Sequence, residues 1–324
     1  MMAAGRARVA VLGASGHLGA AVVAALARLP VDLRLVGRDP ARLSVSGHEW
    51  CSLSLDRPEA VADAVQDCSV VLHLVADLSG TGSWRGVGGR GAGETVDTMV
   101  LRALLDLADR PGARPRGLVY ASTAALNVPC GPTGRSGYEQ VKRAGEELVL
   151  SGTARGLLRG SCLRLPTLYG VAAGDPAGRA GRGAVRALAR QALDGGPVTV
   201  WGNGRNLRNL LHVDDAGAAF AAAVSHLDLL AGRTWDVGAE QSIPLRELAC
   251  HIVTRVAAVA GQDPVAVSCA APPAAAASHD LADAVVDAGP FRRCTGWSPA
   301  RELTRALDHM ISTLAATREL GDLR

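Results

Sequence analysis

Arg8-Val9-Ala10-Val11-Leu12-Gly13-Ala14-Ser15-Gly16-His17-Leu18-Gly19 is the stretch on which the fold turns. An apolar run of strand length enters a turn with glycine at every third position, and a helical pattern follows through Leu29. Strand, glycine turn and helix in that order form the setting of a phosphate-binding loop. Gly13 permits the tight turn, Gly16 lets main chain approach a pyrophosphate, and Gly19 lets the helix lie close on the sheet. The helix start adds free N–H groups and the positive end of its dipole. Ser15, His17 and Leu18 sit in the loop and first turn, so they join the glycines as candidate dinucleotide contacts. A plain structural turn is the competing reading.

Working outward, further strands are expected at Leu33–Val36, His48–Leu53, Val70–Val75 and Gly117–Ala121, alternating with helices at Pro58–Val65 and Val96–Ala108. Apolar strands alternating with helices indicate an α/β fold of Rossmann type, with a doubly wound parallel sheet. The second strand ends in Gly37-Arg38, where an NAD-binding protein usually places a carboxylate for the ribose hydroxyls. A guanidinium there suits a 2′-phosphate, so the sequence predicts NADP(H) over NAD, with a surface arginine before Asp39-Pro40 as the alternative. Around Ser54, Leu55 and Asp56 the chain is expected to pass the adenine. His73, on the fourth strand, is either a satisfied core histidine or a catalyst. Gly80 to Gly93 is rich in glycine and holds Trp84 and Arg85, which reads equally as a substrate lid or a surface loop.

The strand Gly117–Ala121 runs into Ser122-Thr123, hydroxyls at a carboxyl end where ligands of open α/β sheets bind. Tyr138 and Lys142 follow at a spacing that puts both on one helix face. A free phenol titrates near ~10, and a neighbouring ammonium favours the phenolate. Hydroxyl, phenol and ammonium together can exchange a proton with a carbonyl or hydroxyl oxygen.

Composition narrows the function classes. The chain has 324 residues, 48% hydrophobic and 20% charged, enough for a sizeable core. A net charge of +3 with scattered basic residues predicts no nucleic-acid or membrane patch. The cysteines show no C-x-x-C pair and read as reduced thiols, with no metal site and a cytoplasmic location. The opening residues lack a signal-peptide core, and no run reaches the length of a membrane span.

With these motifs in place the chain resembles the extended short-chain dehydrogenase/reductase family, the nucleotide-sugar epimerases, dehydratases and reductases. The resemblance rests on Gly13-x-x-Gly16-x-x-Gly19, Val71 to Ala76, Ser122-Thr123, Tyr138-x-x-x-Lys142, and Leu163-Arg164-Leu165-Pro166-Thr167-Leu168-Tyr169-Gly170. It continues in Trp201 to Gly204, Arg208 to Asp215, and Gly296-Trp297-Ser298-Pro299. It implies that Tyr138 is the acid, that Lys142 holds the nicotinamide ribose, and that Thr123 is the third catalytic hydroxyl. Leu74, Val75, Ala76, Ala121 and Leu165 are implied along the cofactor, with Pro166 and Thr167 beside the nicotinamide carboxamide. For the substrate it implies Arg208 on a diphosphate, Thr199, Val200 and Trp201 near the base, and Trp84 and Arg85 in the lid. It also implies a homodimer and a smaller, discontinuous α/β substrate domain. On that reading residues 1–165 and 211–238 bind the dinucleotide, and 166–210 and 239–324 bind the substrate.

Departures from the family pattern carry information. The acidic pair of the dehydratases is replaced by Ala124-Ala125, which removes the acid and base of elimination. The family's asparagine on the helix after the lid is Asp97 here, and the aspartate after the phosphate arginine is Asn209. The expected activity is reduction by NADPH of the C4 ketone of a dTDP-4-keto-6-deoxyhexose, as in actinobacterial NDP-hexose 4-ketoreductases. The alternatives are a nucleotide-sugar epimerase and a non-catalytic dinucleotide-binding protein.

Overall fold

The computed structural model describes residues 6–43, 47–76, 95–110, 112, 115–130, 134–178, 181, 183–273, 276 and 278–322. Its first half runs β1 (Arg8–Leu12), α1 (His17–Leu26), β2 (Asp32–Gly37), β3 (Glu49–Ser52), α2 (Pro58–Val65), β4 (Val70–His73), α3 (Val96–Ala108), β5 (Gly117–Thr123), α4 (Gly137–Ala154) and β6 (Arg159–Leu165). Then come β7 (Thr167–Tyr169), α5 (Ala184–Leu193), β8 (Val198–Trp201), β9 (Leu207–His212), α6 (Val213–Ser225), α7 (Leu227–Leu230) and β10 (Arg233–Asp236). The chain closes with β11 (Ser242–Pro244), α8 (Leu245–Ala260), β12 (Val267–Ala270), α9 (Ser278–Leu281), α10 (Gly289–Thr295) and α11 (Leu303–Asp322).

Seven parallel strands form the main sheet in the order β10-β6-β5-β4-β1-β2-β3. Strands buried on both faces must be apolar throughout, and β1 shows why. Val9 and Val11 face one core with Val22, Val23, Leu26 and Phe220, while Ala10 and Leu12 face the other with Val61, Leu101, Leu104 and Val149. The strand order reverses between β1 and β4, so a crevice opens at their carboxyl ends.

Glycine makes the crevice passable. A Cβ on Gly19 would fall 2.1 Å from the carbonyl oxygen of Gly13 and 2.6 Å from that of Ala14. Gly13 has φ +89°, and a Cβ there would press at 3.3 Å on main-chain atoms of Leu74 and Val75, the connection leaving β4. The loop is pinned by N–H bonds from Gly13 and Ala14 to the carbonyl of Val36 and from Gly16 to that of Gly13.

A smaller lobe has its own core, in which Val185 and Leu188 of α5, Val198 and Val200 of β8, Leu248 and Ile252 of α8, and Leu307 and Ile311 of α11 meet. The chain re-enters the main sheet through β9, α6 and β10, and β10 pairs with β6. One part of the expected division changes. The expected division puts 239–324 whole in the smaller lobe, yet Ala288, Phe291 and Trp297 lie in the main-sheet core. Phe291 sits edge-on between Trp235 and Trp297, at 6.4 and 5.6 Å between ring centres. Aromatic burial there outweighs sequence proximity to α8.

Replacement of Gly19 by alanine is expected to lower stability by about 3 kcal/mol, because two carbonyl groups must move to admit the methyl. Gly261, which ends α8 with φ +67° and open space around it, is expected to cost only about 1 kcal/mol on the same change. Urea unfolding of the two variants checks the contrast, and equal losses would contradict the steric account.

Candidate active site

The crevice is a cleft of about 900 Å³. Its walls include all six candidate residues of the first loop (Gly13, Ser15, Gly16, His17, Leu18 and Gly19), Arg38 after β2, and Ser54 and Leu55 after β3. Leu74, Val75 and Ala76 after β4 follow, then Ala121 and Thr123 of β5, Tyr138 and Lys142 of α4, and Leu165 and Pro166 after β6. Seven separate segments therefore converge on one volume. Asp56 beside Leu55 and Ser122 beside Thr123 also line it, together with Gly37, Leu53, Val96 and Leu168, which are not among the candidate residues. Thr167, expected beside Pro166, does not. Side chains alternate along extended chain, so Pro166 and Leu168 share one side and Thr167 takes the other.

At the loop, His17 opens α1, and its Nε2 lies 3.0 Å from the carbonyl oxygen of Gly170. Burial lowers its imidazole below the ordinary histidine value, so a neutral ring stands beside the helix N-terminus. Arg38 is exposed on the rim. The carboxylate of Asp39, next in sequence, accepts from the N–H of Ala41 and caps its own turn.

The opposite end of the cleft holds Tyr138 and Lys142. Helix α4 starts in a capping box, with Ser136 accepting from the N–H of Glu139 and Glu139 accepting from the N–H of Ser136, which sets Tyr138 in the first turn. Lys142, one turn on, is 3% exposed. Its Nζ donates to Asp97 Oδ2 at 2.8 Å and to the carbonyl oxygen of Ala121 at 2.9 Å, and it lies 4.7 Å from the centre of the Tyr120 ring. Gly145 allows this approach, since a Cβ there would come 2.3 Å from the Tyr120 hydroxyl.

Asp97 is held in turn. It lies in the first turn of α3 behind a Thr95–Thr98 capping box, where the helix dipole favours an anion. His73 Nε2 is 3.2 Å from both the carbonyl oxygen and Oδ1 of Asp97. Both partners accept only, so Nε2 carries the proton. Burial alone would raise the Asp97 carboxyl, but the Lys142 charge and the His73 bond hold it below the ordinary carboxylate range. For Lys142 burial acts downward and the Asp97 carboxylate more than offsets it, so the ammonium is held above the ordinary lysine value. His73 thus occupies the core-histidine role, stacked on Tyr120 at 5.5 Å, with its polar contact directed at the site.

The hydroxyl pair divides. Ser122 donates to Glu146 Oε1 at 2.6 Å, while Thr123 Oγ1 accepts from the N–H of Ala125. Arg164 at the end of β6 grips Glu146 with two bonds, 2.8 Å to Oε1 and 2.6 Å to Oε2, and donates to Asn127 Oδ1 at 2.7 Å. This bracket ties the ends of β5 and β6 to α4, below the turn that carries Thr123.

The candidate substrate residues are not gathered as expected. Trp84 and Arg85 lie outside the described residues. Val200 is 2% exposed in the smaller core, because alternation along β8 turns it inward while Thr199 and Trp201 stay partly open. Thr199 Oγ1 meets Ser268 Oγ of β12 at 3.1 Å. Arg208 does not line the cleft. Its guanidinium donates to the carbonyls of Leu207, Ala282 and Asp280, so donors expected on a diphosphate have internal partners. Sequence spacing places an arginine on β9 but cannot foresee a segment 72 to 74 residues later folding over it. Asn209, the other departure beside it, bonds Ala239 through main chain at both ends of its amide.

Comparison with known proteins agrees with this architecture. The family model described as the NAD dependent epimerase/dehydratase family matches residues 9–238. None of the curated proteins matches by sequence. Among solved structures, the UDP-glucose 4-epimerase of Thermotoga maritima is 19% identical with a TM-score of 0.74, covering 96% of this chain and 99% of its own. DesIV, a dTDP-glucose 4,6-dehydratase from Streptomyces venezuelae with NAD bound, is 17% identical with a TM-score of 0.75, covering 97% and 98%. A UDP-glucuronic acid 4-epimerase from Bacillus cereus, in complex with UDP-glucuronic acid and NAD, is 19% identical at 0.74, covering 96% and 99%. At these identities the likeness is one of fold.

Arg164→Ala is expected to lower stability by about 3 kcal/mol, because Glu146 stays 5% exposed without its ion-pair partner. Arg164→Lys, which keeps the charge but loses the fork, is expected to recover only part of this. Denaturant unfolding measures both, and a loss below about 1 kcal/mol for the alanine variant would show that the bracket carries little.

Proposed function

Because this chain belongs to the NAD dependent epimerase/dehydratase family, we propose that it is an NADPH-dependent ketoreductase acting on the C4 ketone of a dTDP-linked 4-keto-6-deoxyhexose. The observation that carries the reading is the convergence on one cleft of a glycine cradle at one end and the Tyr138–Lys142 pair at the other. The fit to a dinucleotide is steric. Only glycine at position 19 lets the loop close, and the space next to Gly13, Gly16 and the start of α1 then presents free N–H groups to a pyrophosphate.

Arg38 supports a cofactor carrying a 2′-phosphate, since it stands exposed on the rim and the neighbouring Asp39 carboxylate is turned into its own loop. When bound, the reduced nicotinamide supplies a hydride to a carbonyl carbon. The side chains do the rest. Tyr138 gives its phenolic proton to the carbonyl oxygen, Thr123 offers that oxygen a second hydrogen bond, and Lys142 holds the ribose while placing positive charge beside Tyr138. Pro166 and Leu168 narrow the wall, which limits the poses open to the ring of the substrate. In this reading Arg208 reaches a diphosphate after exchanging its bonds to the carbonyls of Asp280 and Ala282.

Ala124 and Ala125 support net reduction over dehydration. They form the turn after β5 and bring no acid or base to the cleft. Epimerisation uses the same tyrosine but begins with a 4-hydroxy sugar, whose hydride passes to oxidised cofactor and is returned, leaving the cofactor unchanged overall, so two single turnovers separate the readings. Reduction consumes one NADPH per molecule of keto sugar, whereas inversion of a 4-hydroxy sugar by enzyme loaded with oxidised cofactor, with no net reduced cofactor formed, would establish the epimerase instead.

Tyr138→Phe is expected to lower kcat at least about 100-fold while NADPH binding, read by fluorescence, changes little. Full NADPH consumption by this variant with a dTDP-4-keto-6-deoxyhexose would remove Tyr138 from the acid role. Arg38→Ala is expected to reduce the ratio of kcat/KM for NADPH over NADH by about tenfold or more. An unchanged ratio, or a wild-type preference for NADH, would place the 2′-phosphate elsewhere.

A further inference from the structure

Lys142 is the group on which both ends of the proposed chemistry depend, and its surroundings are unusual in charge. Five elements pack around its ammonium. Asp97 comes from α3, Tyr120 from β5, Cys162 from β6 and Tyr138 from α4 itself, with His73 of β4 behind Asp97. Burial pushes the Tyr120 phenol and the Cys162 thiol upward, so both keep their protons. Asp97 is therefore the group whose negative charge faces the ammonium directly, at 2.8 Å, with the two side chains 3% and 4% exposed.

The resemblance to the reductase family implies an asparagine at this position. An amide would offer Lys142 the same hydrogen bond without the charge. A carboxylate changes what the ammonium can do at a position only 3% exposed, because a buried ammonium without a counter-charge tends to give up its proton. The carboxylate is also oriented: His73 donates to Oδ1 and Lys142 to Oδ2, so each oxygen has a fixed partner. An ammonium has three N–H donors. With two on Asp97 and Ala121, one remains for a ligand in the cleft that Lys142 lines.

From this geometry we infer that Asp97 is a positioning residue, whose carboxylate, held by His73, keeps Lys142 charged and aimed so that its remaining N–H is presented to the cofactor ribose. The inference rests on the nicotinamide reading of the cleft for its ligand. It places no chemistry on Asp97, which acts through Lys142 alone. His73 has a matching part, since its bond to Oδ1 selects the carboxylate orientation that leaves Oδ2 for the ammonium.

Three full-length variants test it: Asp97→Asn, Lys142→Met and the two combined. Thermal unfolding at neutral pH is expected to show Asp97→Asn melting about 5–10 °C below wild type, because a buried ammonium has lost its partner. The combined variant is expected to melt above both single variants, so the comparison with Lys142→Met still decides if the asparagine protein does not fold. A combined variant no more stable than either single one overturns the pairing.

The second measurement is NADPH fluorescence titration between pH 7 and about 10.5. Asp97 holds the ammonium above its ordinary value, so wild-type affinity should stay level across this range. In Asp97→Asn burial acts without that offset, and affinity is expected to fall at a pH lower by about one unit or more. A purely structural role would weaken binding by the same factor at every pH, and parallel profiles would overturn the proposal. If wild type fails to bind NADPH at all, the cofactor reading falls, and the stability cycle judges the Asp97–Lys142 pairing by itself.

Discussion

Two connections leave neighbouring strands of one sheet in opposite directions, and the backbone has to pass between them. Gly13 and Gly19 meet this constraint, one by a backbone angle that other residues avoid and one by lacking the carbon that would strike two carbonyl groups. Everything else in the cleft is arranged around that passage. Because α1 can lie on the sheet, its N-terminus points into the crevice, α6 packs against its far side, and the carboxyl ends of β2, β3, β4, β5 and β6 come to surround one volume. The N–H groups that a helix start leaves unpaired are by the same packing turned toward the crevice.

The other end of the cleft obeys electrostatics more than sterics. Charged side chains buried in a protein must be paired, and here the pairs are placed in two tiers. Glu146 with Arg164 and Ser122 ties strand ends to α4 outside the reacting centre. Asp97 with Lys142 and His73 forms the other, and it reaches the cleft through Lys142. Gly145 is the hinge of this arrangement in the packing sense: it brings α4 close enough to β5 for Lys142 to sit over Tyr120. Lys142 therefore has a helix position from local sequence, a charge partner from α3 and an aromatic floor from β5.

Most of the regular elements were legible from periodicity, and several boundaries agree to the residue. Pro58–Val65 and Val96–Ala108 each begin at a proline or a cap, which local chemistry alone can read. The glycine loop was legible for the same reason, since seven residues carry their own steric logic. Thr167, Val200 and Arg208 were harder. Thr167 and Val200 depend on which way an alternating strand faces, and Arg208 depends on main-chain carbonyls from a segment far along the chain. The role of Asp97 was visible only as a departure from a pattern, because no spacing rule links position 97 to 142 or to 73.

The sequence by itself determined the parallel sheet, the glycine loop and the Tyr138–Lys142 spacing, because each follows from contacts between residues close in the chain or from repetition of strand and helix. Tertiary structure alone decided which charges meet. Asp97 and Lys142 are 45 residues apart, and they pair at 2.8 Å only after β4, β5, α3 and α4 have packed. Phe291 and Trp297 likewise join the first lobe after α8 and β12 have been traversed and before α11 returns to the smaller core. Burial is the physical reason for the difference. It makes an unpaired charge or a misplaced aromatic ring costly, and it exists only once distant parts of the chain have come together.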